Sequence, residues 1–423
     1  MEYLHYDVIV IGGGPAGLMA AGQAAGNGAH VLLLEKMEKP ARKLRITGKG
    51  RCNVTNAKPW EAFSAHVFPN ARFFKAAFYN FPNTALIDFF AQHGLALAAE
   101  RGDRVYPASQ DAWDVAGTLI QWVQQMGVEI RCRAGVLQLE QAGNRLEAAT
   151  VKQGDSTVTL TASAFVVATG GLSYPATGST GDGFRFARDT GHAIVPQRPS
   201  LVGVHAAHHH PALCGLTLRN IQLALLIDGS VLGEEFGELL FNETGLEGPV
   251  VLRLSRKATD AFLQHKKVAL ALNLKPALPA PQLRQRLFRE LAENRHGTVE
   301  AFLRKLMPAQ LIPAFADAAG LVPGRQAAEL RQAAIDKTVS LLQCWKMPVT
   351  GVQGYERAVI TAGGVSLDDI DHKTMRSRKV ENLFFAGEVI DLDADTGGYN
   401  LQIAFSTGYL AGKMAAQYVS QKN

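Results

Sequence analysis

What this chain has little of narrows its reading before any motif does. Its four cysteines, Cys52, Cys132, Cys214 and Cys344, are scattered over 423 residues, and no two of them form C-x-x-C. That pattern excludes a zinc knuckle and a thioredoxin-like redox pair, and it fits a reducing, cytoplasmic location. No run of about 18 apolar residues occurs, so no membrane span is expected. The opening MEYLHYDVIVIGGG has no basic flank, and glycines cut its apolar run short, which argues against a secretory signal. There is no HExxH, no Walker loop and no Ser-His-Asp elbow, so no hydrolase or nucleotide triphosphatase is signalled. Repeats, low-complexity segments and tails of like charge are missing too. The balance of 43 basic against 38 acidic residues gives a net charge of +5, which permits an anionic partner without requiring one.

What is present begins at Tyr6. YDVIVIGGGPAGLMAAGQAAGNGAHVLLLEK reads as a short buried strand to Ile11, a glycine turn, a helix over 18–25 and a second strand over 30–34. Gly12, Gly14 and Gly17 form G-x-G-x-x-G with Pro15 and Ala16 between them. In such a turn the first glycine permits the bend and the second lets the backbone approach a pyrophosphate. The third lets helix and strand pack closely. The helix N-terminus supplies free N–H groups and a positive dipole end. Glu35, followed by Lys36, stands 18 residues after Gly17, where a carboxylate accepts hydrogen bonds from an adenosine ribose. Dinucleotide binding follows, with FAD and NAD both open at this point.

Two further glycine corners narrow that choice. Phe165–Ala168 reads as a strand running into Thr169-Gly170-Gly171, followed by a helix from Phe184 whose candidate cap is Asp182. Leu383–Ala386 reads as a strand ending in Gly387-Glu388. Beyond it, Thr396-Gly397-Gly398-Tyr399-Asn400-Leu401 opens a long apolar helix. Asp391, Asp393 and Asp395 alternate in the intervening loop, but the glycine and glutamate of a calcium loop are missing, so no metal is assigned.

With these segments in hand, the chain resembles the two-dinucleotide-binding-domain flavoproteins. RKLRITGKGRCNVTN, VVATGGLSYPATGSTGDG, ITAGGVSLDDI and FFAGEVIDLDADTGGYNLQIAFSTG are similar to the HI0933-like (BaiN-like) family, and the likeness reaches both ends of the chain. The resemblance implies non-covalent FAD. It places Gly12, Gly14, Pro15, Ala16, Gly17, Glu35, Lys36, Ala168, Thr169, Gly170, Gly387, Glu388, Gly398, Asn400 and Leu401 at the cofactor, with Glu388 at the ribityl chain and Gly398–Leu401 at the flavin pyrimidine ring. A helix end there would favour negative charge on reduced flavin. Two departures stand out: Lys49 occupies a position where a small or neutral residue is commoner, and FNETGLEGP (241–249) replaces a usual FTHxGxSGP.

The stretch KPARKLRITGKGRCNVTN (39–56) looks too irregular for a helix. Coming just after Glu35, it reads as a loop along the cofactor. Arg42 and Lys43 are expected at the FAD phosphates, and Gly50, Arg51 and Cys52 toward the flavin. Cys52 is also a candidate proton donor, set against a packed cysteine. Lys49 or Arg51 could meet a phosphate-bearing substrate.

After Pro196 short alternating strands take over and read as a sheet or small barrel, then helices follow from Pro281. The expected fold is α/β: a Rossmann-like FAD domain (1–195 and 348–423), an inserted β domain (196–278) and a helical subdomain (279–347). His205 and His208–His210 suggest a metal only weakly, and an exposed loop is the plainer reading. The basic helices over 284–304 read as solvated faces, with RNA contact as the alternative.

Since only one G-x-G-x-x-G follows a strand, NAD(P)H is expected as a transient donor without a domain of its own. The expected activity is an FAD-dependent reductase of an activated C=C bond. The resemblance implies one version of it, uridine to dihydrouridine in 23S rRNA. The alternatives are an amine or small-molecule oxidase using O₂, and a non-catalytic flavin- or RNA-binding protein. The substrate is thus a small molecule or rRNA, with no membrane and no structural metal.

Overall fold

The apolar run after Tyr6 forms β1 (His5–Ile11), and Val8 to Ile11 are buried. Burial on both faces is what a central parallel strand requires. The computed structural model, which describes residues 5–207 and 210–422, places β1 inside a seven-stranded sheet. Across that sheet lie Glu129–Arg131, β2 (Val31–Leu34), β1, Ser156–Val167, Arg145–Gln153 and Ala134–Ala142, and Leu383–Phe385 also pairs with Ser156–Val167. The 12-residue strand changes partner along its length. Its first half pairs antiparallel with Arg145–Gln153, and its last three residues pair parallel with Leu383–Phe385.

The register aligns the glycine corners. Leu34 and Val167 both sit opposite Ile11, and Phe385 sits opposite Val167, so four parallel strands finish level. Main-chain bonds carry the ladder one residue further, from Gly12 N to Leu34 O, Ala168 N to Ile11 O and Ala386 N to Val167 O. The ends of parallel strands are where α/β folds bind ligands. Behind this edge, α1 (Pro15–Gly26) packs on the C-terminal helix (Tyr399–Ser420) with backbones almost touching. A Cβ on Gly408 would lie 2.3 Å from the carbonyl oxygen of Ala16, and one on Gly412 2.1 Å from that of Ala20.

The chain divides into two units, one running to Arg198 and resuming at Val359, the other Pro199–Ala358. In the second unit six strands close a barrel in the order Val204–Ala206, Gly245–Glu247, Ser230–Phe241, Thr217–Ile227, Val268–Asn273 and Trp345–Val352. Helices Pro249–Leu263, Ala280–Glu293, Val299–Arg304, Ile312–Ala319 and Gln332–Gln343 share one apolar core with it: Leu287, Phe302 and Phe315 belong to the same cluster as Leu223 and Leu272. Two boundaries therefore differ from the sequence expectation. Residues 279–347 are not a separate subdomain, because their apolar faces complete the barrel's core. The return to the first unit comes at 359 and not at 348, because Trp345–Val352 pairs with Val268–Asn273 and Val204–Ala206. No helix among the described residues is long and apolar enough to cross a membrane.

Candidate functional site

At the first corner Gly12 has φ +106°, and a Cβ there would meet the carbonyl oxygen of Ala168 at 2.5 Å. Gly17 is tighter still, since a Cβ would lie 1.8 Å from the carbonyl oxygen of Gly12. Both glycines are therefore demanded by packing inside the protein. Gly14 differs: a Cβ on it meets nothing within 4 Å, so open space lies against the turn. Pro15 takes the first helical position, where a missing N–H costs nothing. The Glu35 carboxylate accepts from the Gly13 amide at 2.8 Å and the Met37 amide at 2.7 Å. Burial nevertheless pushes its carboxyl up, against those two hydrogen bonds. Each oxygen keeps a lone pair for a further donor.

The second and third corners meet through Glu388. Its carboxylate accepts from Lys43 Nζ at 2.8 Å, Ser173 Oγ at 2.7 Å and the Thr361 amide at 2.8 Å. Burial pushes this carboxyl up, but the Lys43 charge and the bonds from Lys43, Ser173 and Thr361 outweigh it and hold it below the usual range. Gly387 N–H donates to Thr407 Oγ1 of the C-terminal helix at 3.0 Å.

Compared with known proteins, residues 6–414 match the family described as the HI0933-like protein Rossmann domain. The chain belongs to the HI0933-like family. It is 30% identical over 414 residues to a 3-dehydro-bile acid delta(4,6)-reductase of Clostridium scindens, covering 96% of this chain and 98% of that one. It is also 30% identical over 410 residues to a ribosomal RNA dihydrouridine synthase of Escherichia coli, covering 96% of each chain. Among solved structures, a 3-ketosteroid-delta4-(5alpha)-dehydrogenase from Rhodococcus jostii aligns over 98% of this chain and 97% of that one, with TM-score 0.55 at 16% identity. That likeness speaks for the fold. As a member of this family the chain is an FAD-dependent oxidoreductase.

The residues present fit an HI0933-like flavin site, and the basic stretch beside it is laced with acidic partners. Arg42–Ile46 is a short helix, so the stretch is not wholly irregular. Arg42 pairs with Glu38, Lys43 with Glu388, and Lys36 with Asp182 at 2.6 Å. The guanidinium of Arg51 bonds Glu100 and Gln110 and lies 4.2 Å from the centre of the Tyr106 ring. Arg45 bonds the Pro40 carbonyl at 2.7 Å and faces the Trp113 ring. Lys49, at φ +59°, makes no ion pair among the described residues. Arg42 and Lys43 thus each hold a carboxylate partner, while the first N–H groups of α1 have no side-chain cap.

Asp182 is pulled away by Lys36 and does not cap its helix; Gly181 holds that position without a side-chain bond. Asn400 is committed as well, accepting from the Ala394 amide at 2.9 Å and donating to the Ala394 carbonyl at 2.8 Å. Leu401 lies half-buried in the first turn of the same helix, whose N-cap is Gly398. Thr169 Oγ1 is buried without a partner, and Gly170 turns the chain at φ +73°.

Cys52 is fully buried at φ +56°. Burial pushes its thiol up to about 12, against a hydrogen bond with Thr47. The thiol is therefore held in its protonated form and enclosed by the loop. Just beyond it the loop locks onto the C-terminal helix. Thr55 Oγ1 bonds Gln402 Oε1 at 2.6 Å, and a Cβ on Gly398 would lie 2.2 Å from the Thr55 carbonyl oxygen. Gly50, at φ +84°, faces open space.

Sequence reasoning missed Ser173 and Thr361, which hold Glu388, and the Lys58, His66 and Asp395 side chains beside Tyr399. The Glu388 and Asp395 contacts carry no local signal, because their partners lie 27 to 345 residues away in the chain. No group of three His, Cys, Asp or Glu suited to a metal occurs among the described residues. His208 and His209 lie outside the described residues.

Proposed function

We propose that the chain is a reductase of a C=C bond conjugated to a carbonyl, fed by NAD(P)H that docks transiently. The observation that carries this reading is the pair of relatives, each 30% identical over 96% of the chain. Their names specify different substrates with one chemistry. A delta-4 bond of a 3-oxo steroid is an enone, and dihydrouridine arises from the C5=C6 bond of uracil, which is conjugated to its C4 carbonyl. In both, hydride adds at one alkene carbon and a proton at the other, next to the carbonyl. Bound FAD supplies the hydride-transfer chemistry.

The chain's own residues supply placement. The Gly12–Gly17 turn and the first N–H groups of α1 hold the diphosphate, and Glu35 receives the ribose hydroxyls. The Gly387 main chain borders the ribityl chain. Glu388 acts by fixing that corner, since its carboxylate is already occupied. The first N–H groups of the C-terminal helix, from Gly398 to Leu401, face the pyrimidine edge and favour negative charge there.

RNA is one member of the substrate class. Arg42, Lys43 and Arg51 each have an acidic partner, and so do Arg284, Arg286 and Arg304, so no unpaired basic cluster favours RNA over a small molecule. The deciding experiment reduces the FAD-loaded protein anaerobically with NADPH or NADH, then follows reoxidation by a 4-en-3-one steroid, by 23S rRNA fragments and by O₂. Reoxidation by either conjugated substrate with loss of its C=C bond supports the reading. Reoxidation by O₂ alone with hydrogen peroxide release favours an oxidase. A flavin that no donor reduces points to a binding protein.

A further inference from the structure

At the N-terminus of the C-terminal helix three charged or titratable side chains form a row that the proposed chemistry has not used. Lys58 Nζ lies 3.2 Å from His66 Nε2, and His66 Nδ1 lies 2.8 Å from Asp395 Oδ2. An ammonium only donates, so His66 Nε2 accepts from Lys58, and its Nδ1–H donates to Asp395. The neighbours fix the row. Asp395 N–H donates to the His66 carbonyl at 3.0 Å, and Asn400 Nδ2 donates to the Asp395 carbonyl at 3.2 Å. The His66 ring stacks on Tyr399, the first helical residue, with centroids 4.5 Å apart and planes 25° apart. His66 and Asp395 are 30% and 25% exposed, so water screens the row without abolishing its field.

Asp395 stands four residues before Tyr399, close to the helix end that favours negative charge. An uncompensated carboxylate there offsets the positive field that the helix end presents. Its reach is visible at Tyr399, whose phenol is pushed up to about 12 by burial first, then by Asp395 and Asp103, with Arg104 acting the other way.

We propose that Lys58, linked to Asp395 through His66, offsets the carboxylate charge and thereby sets the redox potential of the flavin at this helix end. The inference rests on the reading that the helix faces the flavin pyrimidine edge. Reduction places extra negative charge on the ring, so the balance of charge nearby decides how readily the flavin accepts electrons. Losing the cation favours the oxidised form; losing the carboxylate favours the reduced form. Lys58, His66 and Asp395 are positioning residues, acting through the field at the helix and not by touching a substrate.

The test is a spectroscopic redox titration of FAD-loaded wild type, Lys58→Met, Asp395→Asn and the double variant against a reference dye. Lys58→Met should lower the reduced-to-oxidised ratio at fixed ambient potential by about threefold, the order of effect expected for one solvent-screened charge. Asp395→Asn, nearly isosteric, should raise the ratio by a similar factor, and the double variant should return close to wild type. Raised salt should shrink both shifts. Equal-signed shifts, or no shift in variants that hold stoichiometric FAD, overturn the inference while leaving the flavin reading intact. A wild-type protein that takes up no FAD overturns the reading itself and the inference with it.

Discussion

Replacing Lys43 by methionine separates two accounts of the basic stretch. If Lys43 neutralised a cofactor phosphate, the variant would fold normally and bind FAD weakly. The structure instead spends Lys43 on Glu388, which also holds Ser173 and Thr361 and so ties three segments together. Removing one partner of a buried pair costs about 3–5 kcal/mol, and exposed pairs are worth about 1 kcal/mol or less. The Lys43 and Glu388 side chains are 20% and 21% exposed, so a loss of about 2 kcal/mol is expected. For a unit of this size that lowers the melting temperature by roughly 4–8 °C. Glu388→Gln keeps an oxygen for Ser173 and Thr361 and should cost about 1 kcal/mol. The double variant should lose less than the sum, with a coupling of about 1–2 kcal/mol. Acidity provides a second handle. The Glu388 carboxyl is held below its unfolded value of about 4.3, so the stabilisation is present above that pH and lost as pH falls through the folded value. Lys43→Met should therefore flatten the acid side of the stability profile. The assay is thermal unfolding of the apoprotein across pH, paired with FAD titration. Unchanged melting with weakened, salt-sensitive FAD binding, or strict additivity in the double variant, would refute the anchoring role.

The second and third glycines of the G-x-G-x-x-G turn should behave differently. Gly17→Ala forces a Cβ to within 1.8 Å of the Gly12 carbonyl oxygen and should destabilise the apoprotein by about 3 kcal/mol, read from denaturant unfolding. Gly14→Ala meets open space and should cost less than about 1 kcal/mol, yet lower FAD affinity by about tenfold in a fluorescence titration. Cys52→Ala should cost about 1–2 kcal/mol through lost packing and leave FAD binding and turnover in place; abolished turnover in the folded, flavin-loaded variant would restore Cys52 as a chemical group. In the native protein a thiol reagent should modify the exposed Cys214 and Cys344 rapidly and Cys52 only on unfolding.

These outcomes turn on a difference between backbone shape and charge partnership. The strand, glycine turn, helix and acid of the first 35 residues were legible because each depends on neighbours a few positions away. The same holds for the corners at Gly170 and Gly387. Their meeting along one edge was not legible in the same way, because it depends on Ser156–Val167 exchanging an antiparallel neighbour for a parallel one partway along. Barrel and sheet strands also share one alternating pattern, so Trp345–Val352 could be assigned to the right unit only through its pairing partners. The partners of the cations were the least legible. Five basic residues fall within ten positions, yet Arg51 finds Glu100 at a separation of 49 residues and Lys43 finds Glu388 at 345. Proximity in sequence does not fix the partner of a long, flexible charged side chain; the tertiary fold does. The same cause hid the Lys58–His66–Asp395 row, whose histidine and carboxylate stand 329 residues apart. A cluster of charge in a sequence is therefore evidence about a surface only after the carboxylates that the fold brings to it have been found. At this site carboxylates pair with Arg42, Lys43 and Arg51, the last two from positions that the local sequence does not single out.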